Sequence, residues 1–264
     1  MEPQPEEEEA LAGGLGSAGA VVKVGSTVRR PSQSWTPAVH ALLRHFEQVG
    51  FRGAPGVRGF DDRGREILDY IPGDVAVPPF PAWSADLGLL VSVAGLQRDA
   101  HLAARSFVPE DAWTWGGVSP PVRFGGRLVC HNDICLENVV VRGGRAAAFI
   151  DWDWARPVDR LWDIAVAARH WIPLRDPVDI EEHRAGLDLV GRCRMFFDEH
   201  QLGTDERRVV IDALLAFLDG GLVFVRQQAE AGHAGHRRQW NAGYAAANRR
   251  AHAWITVHQE MLTR

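Results

Sequence analysis

His131-Asn132-Asp133-Ile134-Cys135-Leu136-Glu137-Asn138 is the stretch on which the reading of this chain turns. It has the form H-x-D-x-x-x-x-N and lies between two short apolar runs, Leu128-Val129-Cys130 and Val139-Val140-Val141. A third run, Ala147-Ala148-Phe149-Ile150, delivers Asp151 at its end. Transfer of a phosphoryl group needs a carboxylate to orient the attacking hydroxyl and accept its proton. It also needs an amide and a second carboxylate to hold magnesium against the nucleotide phosphates. Asp133, Asn138 and Asp151 match those three requirements in kind and in spacing. Three specified residues at about 5% each coincide at roughly 10⁻⁴ per position. Capping of strand ends would account for each polar residue singly but not for their combined spacing.

Around this stretch the chain reads as an α+β protein. Its 264 residues suffice for one or two domains with a sizeable core, and 46% apolar with 24% charged residues is ordinary for a folded globular chain. The net charge of −5 is matched in size by Glu2 and Glu6 to Glu9, which precede every basic residue, so the remainder is balanced. A balanced body has no field to gather phosphate backbones, and general nucleic-acid binding is not expected. Cys130, Cys135 and Cys193 are too few and too scattered for a disulfide framework or a four-ligand zinc site, which suits a reducing, cytoplasmic setting. Neither secretion nor membrane spanning is expected, since the most apolar late segment, 209–225, is broken by Asp212 and Asp219.

Residues 1–12 read as a disordered acidic tail and 13–73 as a small lobe. That lobe holds a hairpin over 21–30 turning at Gly25-Ser26, a helix from Pro37 to Gly50, and a second hairpin turning near Asp61 to Gly64. Residues 74–264 read as a larger, mostly helical lobe. Its first helix spans 84–105 with Leu87, Leu90, Val91, Ala94 and Leu102 inward; later helices are expected over 161–171, 180–200, 205–228 and 241–263.

With these residues in view, the chain resembles the aminoglycoside phosphotransferase and choline kinase-like group of the protein-kinase-like fold, most strongly over 128–171. That group carries an H-G-D-x-x-x-x-N loop, then I-D-[WF]-[DE]-x-A, then a helix bearing an aspartate. The counterparts here are Ile150-Asp151-Trp152-Asp153-Trp154-Ala155 and Arg160-Leu161-Trp162-Asp163-Ile164-Ala165. The resemblance implies a two-lobed fold with a reduced β-rich N-terminal lobe. It also implies a catalytic centre of Asp133 with His131 bracing the loop, magnesium on Asn138 and Asp151, and Asp163 anchoring the loop. Asp153 and Trp154 become possible substrate or second-metal contacts. ATP or GTP would be co-substrate and a small hydroxyl-bearing molecule the acceptor, with the oligomeric state left open. The alternative is a catalytically weak pseudokinase that binds a nucleotide or a partner.

The front of the chain fits that pattern with departures. Gly14, Gly16 and Gly19, in Gly14-Leu15-Gly16-Ser17-Ala18-Gly19-Ala20-Val21, match a G-x-G-x-x-G-x-V phosphate-covering loop, although a flexible linker would look similar. The group's lysine on the next strand is absent. Arg29 and Arg30 occupy that strand, Arg29 being the leading phosphate contact, and the following helix has no carboxylate before Glu47. Tyr70 and Ile71 fall where the group's inter-lobe linker meets the nucleotide base. Asn132 replaces the loop's usual glycine, a mild change because asparagine tolerates left-handed backbone.

Other features have plainer readings. Trp152, Trp154, Trp162 and Trp171 are mostly core, although Asp153, Trp154, Asp159 or Trp171 could form an acidic, aromatic pocket for a cationic acceptor. His233-Ala234-Gly235-His236 reads as a solvated loop rather than a metal site. Cys130 and His131, adjacent on a strand, point apart and make no nucleophilic dyad. Arg226, Arg237, Arg238, Arg249 and Arg250 read as a solvated helical face.

Overall fold

A computed structural model describes residues 7–11 and 20–264. Five antiparallel strands build the first sheet: β1 (Glu9–Ala10), β2 (Val22–Val24), β3 (Thr27–Pro31), β4 (Val57–Phe60) and β5 (Arg65–Asp69), in the order β1-β2-β3-β5-β4. Glu9 and Ala10, expected in the tail, instead pair with Lys23 and Val22. Charge complementarity accounts for the difference: Glu8 accepts from Arg65 at 2.7 Å, and Glu9 lies 3.4 Å from Lys23. Between β3 and β4 runs α1 (Thr36–Gln48), whose Leu42, Leu43 and Phe46 are buried.

Past Tyr70 and Ile71 the chain enters β6 (Asp74–Val75), which pairs with β8 (Val139–Arg142); β8 pairs in turn with β9 (Arg145–Phe149) across a Gly143-Gly144 turn. A separate pair joins β7 (Leu128–Cys130) to β10 (Arg156–Val158). The remaining lobe is helical: α2 (Leu87–Ala104), α3 (Arg160–Trp171), α4 (Leu189–Glu199), α5 (Thr204–Glu230), α6 (Ala234–Asn241) and α7 (Tyr244–Leu262). The helix expected over 180–200 starts only at Leu189, after short 3-10 turns at Pro177–Asp179 and Glu182–Arg184. Asp188 caps it by accepting from the Gly191 backbone N–H. Likewise His233 to His236 is not a loop but the start of α6. No helix among the described residues is long and apolar enough to cross a membrane.

One helix faces differently from its apolar pattern. In α2, Leu87 and Leu102 are 40% and 47% exposed, while Gln97 and His101 are buried. The reason lies in α3, where the Asp163 carboxylate is 1% exposed and accepts from Gln97 Nε2 and His101 Nε2, each at 2.7 Å. Its other oxygen accepts from the Asn132 backbone N–H at 2.5 Å. Two polar side chains therefore turn inward to meet a buried carboxylate, and that meeting sets the rotation of α2.

Burial opposes ionisation of Asp163, but the bonds from His101 and Gln97 outweigh it and hold the carboxyl below the usual range. Asp163→Ala would leave three buried donors without an acceptor, at about 1–3 kcal/mol each. Chemical denaturation should show a loss on the order of 3 kcal/mol or more for this variant.

Candidate active site

The loop between β7 and β8 carries the motif, and its backbone is specified residue by residue. Asn132 has φ 63°, a conformation uncommon outside glycine. Its side-chain amide donates to the Cys130 carbonyl at 2.9 Å and lies 3.4 Å from the carbonyls of Trp154 and Arg156. The replacement of glycine by asparagine is thereby put to use, tying the loop to the segment after Asp151. His131 is 2% exposed and spends both ring nitrogens on backbone: Nε2 donates to the Ile150 carbonyl at 3.0 Å, and Nδ1 accepts from the Asp133 N–H at 3.3 Å. Burial lowers its pKa, so the ring is neutral and acts as a brace.

Asp133 is the carboxylate this bracing presents. Asn138 Nδ2 donates to its Oδ2 at 2.9 Å and to its carbonyl at 2.8 Å. Burial first, and the nearby charge of Asp151 second, push its pKa up to about 8 against the Asn138 bond. With the Asn138 nitrogen spent on Asp133, the amide oxygen is the donor left for a cation. Asp151 stands close by, because the Ile150 N–H donates to the Asn138 carbonyl at 2.9 Å. Asp151 also has left-handed backbone, φ 61°, and its side chain is 43% exposed. Strain of that kind persists only where surrounding contacts impose it, and it clusters at functional sites.

One carboxylate oxygen and one amide oxygen suit a hard divalent cation such as magnesium. The site already attracts positive charge: Arg30 Nη1 lies 2.8 Å from Asp151 Oδ1, and Nη2 lies 2.6 Å from Asp153 Oδ1. Of the two strand arginines, Arg30 is the one in contact with Asp151 and Asp153. Adjacent strand residues face opposite ways, and Arg29, opposite Ile67, is on the side where its charge helps to lower the Glu8 pKa. The third neighbour of Arg30 is Glu66 on β5, with Oε1 2.8 Å from Arg30 Nε; Glu66 Oε2 lies 2.7 Å from His40 Nε2 on α1. Neither Glu66 nor His40 is evident from the motif. The available signal is a carboxylate at an inward strand position, since Glu66 shares its face with the buried Leu68.

The other expected residues fall as follows. Gly14, Gly16 and Gly19 lie outside the described residues. Tyr70 and Ile71 sit between the two lobes, but the Tyr70 N–H is taken by the Ser26 carbonyl at 2.9 Å, and Lys23 Nζ lies 4.7 Å from the centre of the Tyr70 ring. Asp153 faces Arg30 through its Oδ1. Trp154 packs edge-on to Phe224 of α5, with ring centres 5.7 Å apart, and Phe224 meets His236 of α6 at 5.4 Å. Gly116 is required below this loop, because a Cβ there would overlap the Asp153 carbonyl.

Two alternatives carry no chemistry. His101, Cys130 and Asp163 have ligand atoms within 4.8 Å of one another, but the Asp163 oxygens are taken by hydrogen bonds and burial keeps the Cys130 thiol protonated. A cavity of about 870 Å³ between α4, α5 and the end of α7 contains none of the motif residues and is lined by offsetting charges such as Asp198 and Arg207.

Comparison with known proteins bears on the fold and the family. A protein of Rhizobium leguminosarum bv. trifolii, a trifolitoxin immunity protein, is 33% identical over 204 residues, 75% of this chain and 76% of its own length. A choline/ethanolamine kinase family protein from Mesorhizobium loti superposes with a TM-score of 0.64 at 17% identity, over 98% of this chain and 93% of that one. The amicoumacin kinase hAmiN, solved with AMP-PNP, Ca²⁺ and Ami, gives 0.62 at 12% identity, over 95% and 89%. At such identities the solved structures speak to the fold, which is kinase-like. Residues 25–196, which include β3, the motif loop and α3, match the phosphotransferase enzyme family, and the chain belongs to that family.

Proposed function

We propose that this protein transfers the terminal phosphoryl group of a magnesium-bound nucleotide, ATP or GTP, to a hydroxyl of a small molecule. The observation that carries the proposal is the pairing of Asp133 with Asn138 at 2.9 Å beside Asp151, which joins a candidate base to two oxygen donors for a cation. Asp133 orients the acceptor hydroxyl and takes its proton as the new O–P bond forms and the bond to the departing nucleoside diphosphate breaks. Asn138 and Asp151 hold the magnesium ion, which when bound neutralises charge on the phosphate oxygens. Arg30 supplies a permanent positive charge, and two N–H edges, at the place expected of the family's lysine.

The pseudokinase reading draws its motive from the missing lysine-glutamate pair. Arg30 and Glu66 form a pair of the same charge type, which supports an active enzyme. The relative that confers immunity to trifolitoxin suggests a protective role for this chain as well: phosphorylation of a toxic, hydroxyl-bearing compound.

Four expected outcomes follow from these assignments. Magnesium with ATP or GTP should raise the melting temperature of the wild type by several degrees, on the order of 5 °C, and Asp151→Asn should lose that rise.

Asp133→Asn should cut transfer to the cognate hydroxyl by about 10² or more, read by phosphorus NMR of the product. It should also change the pH dependence of stability in the nucleotide-free protein. An unfolded aspartate titrates near 4, and Asp133 near 8 when folded, so between those values the folded state holds a proton the unfolded chain has lost. The stability this group contributes is full below about 4 and falls as pH rises through that window. The wild type should therefore lose melting temperature from pH 5 toward about 8.5 more steeply than Asp133→Asn.

In a cell challenged by the toxic compound, protection by the wild type should disappear with Asp133→Asn. Protection that survived the substitution would indicate sequestration instead of transfer.

A further inference from the structure

Arg30 and Glu66 stand directly opposite each other in β3 and β5, and opposed residues of an antiparallel pair project from one face. Glu66 is 1% exposed, and a buried carboxylate is costly unless both oxygens are partnered. One oxygen has Arg30 Nε at 2.8 Å and the other has His40 Nε2 at 2.7 Å, with His40 itself 2% exposed. The first contact is an ion pair rather than an aligned hydrogen bond, so it fixes position more than angle. It engages only the Nε edge of the guanidinium. The two terminal nitrogens point the other way, to Asp151 and Asp153.

This arrangement places two demands on Asp151. Its Oδ1 is in contact with Arg30, and the same carboxylate is one of the two oxygen donors proposed for magnesium. Both cations draw on one negative charge, so they compete for it. A guanidinium cannot escape the competition by losing its proton; burial would favour that, but the charges of Asp153, Glu66 and Asp151 hold its pKa well above the ordinary value. It can only move. Held at one edge, it has a short arc to travel, and the rotamer freedom of a long side chain has already been given up in the folded state.

We propose that Glu66 and His40 are positioning residues that pin the Nε edge of Arg30, so that its terminal nitrogens exchange between Asp151 and a phosphate oxygen of the nucleotide. The inference rests on the phosphotransferase reading above and gives Glu66 and His40 positioning roles that reading leaves open. It also explains why α1 carries no carboxylate facing the site. Its one glutamate, Glu47, contacts Arg58, 3.2 Å away on an exposed edge, and the anchoring carboxylate comes from the sheet instead. His40 contributes from the helix only by fixing Glu66.

The experiment titrates manganese alone, by electron paramagnetic resonance, and magnesium-ATP, by calorimetry, into wild type, Arg30→Met, Glu66→Gln and His40→Asn, with melting curves to verify folding. Arg30→Met should bind manganese roughly threefold to tenfold more tightly, because Asp151 is unmasked. It should bind magnesium-ATP about tenfold more weakly. Glu66→Gln should also weaken magnesium-ATP by about tenfold, and His40→Asn in the same direction, with no gain in manganese affinity. A folded Glu66→Gln or His40→Asn with wild-type magnesium-ATP affinity would overturn the anchoring role. Unchanged manganese affinity in Arg30→Met would overturn the exchange at Asp151. Should Glu66→Gln fail to fold, His40→Asn decides. A wild type that binds no magnesium-ATP would instead sink the phosphotransferase reading, while the manganese comparison would still report on competition at Asp151.

Discussion

One guanidinium facing three carboxylates is the interaction on which the site depends. Arg30 draws together Glu66 from the first sheet and Asp151 and Asp153 from the loop after β9, so a single side chain joins the two lobes electrostatically. Without it, three acids would share a half-buried space, and mutual repulsion with desolvation would protonate some of them or push them apart. The arginine offsets that repulsion and lets the acids stay together. A set of gathered acids is in turn what a divalent cation and its nucleotide require.

The motif loop is fixed from the opposite side by an interaction of the reverse sign. There a buried carboxylate, Asp163, collects donors from α2 and from the Asn132 backbone. Between the two anchors the loop takes left-handed backbone at Asn132 and Asp151, which ordinary strand-to-turn geometry would not choose. An aromatic contact completes the frame: Trp152 meets Phe46 of α1 at 5.2 Å and His131 at 4.5 Å. Apolar packing thereby carries the position of α1 to the loop that holds Asp133. The raised pKa of Asp133 follows from that frame, since a carboxylate held among buried groups and beside another acid keeps its proton longer and accepts one more readily.

Much of this was legible in the sequence, and the rest was hidden for physical reasons. The short motif and its strand context pointed to Asp133, Asn138 and Asp151 around one loop, and the family resemblance added Asp163 on the helix that follows. The choice between Arg29 and Arg30 depended on which face of β3 turns inward, and register is set by pairing with β5, which spacing within one strand does not show. Glu66 and His40 were missed because their meaning is a contact across elements, more than twenty residues apart. The inward face of α2 was misjudged for a related reason: hydrophobic periodicity favoured Leu87 and Leu102, whereas Gln97 and His101 turn inward to satisfy Asp163. Where a buried charge sets the packing, the apolar pattern alone is a poor guide.

The most direct test of the account is a crystal structure of the protein with magnesium and a non-hydrolysable ATP analogue. The metal should lie on Asp151 and Asn138 and the terminal phosphate beside Asp133, with Arg30 turned from Asp151 to a phosphate oxygen while its Nε remains on Glu66. A nucleotide bound away from the loop of residues 131–138, or an Arg30 still bridging Asp151 and Asp153 with the nucleotide in place, would contradict it.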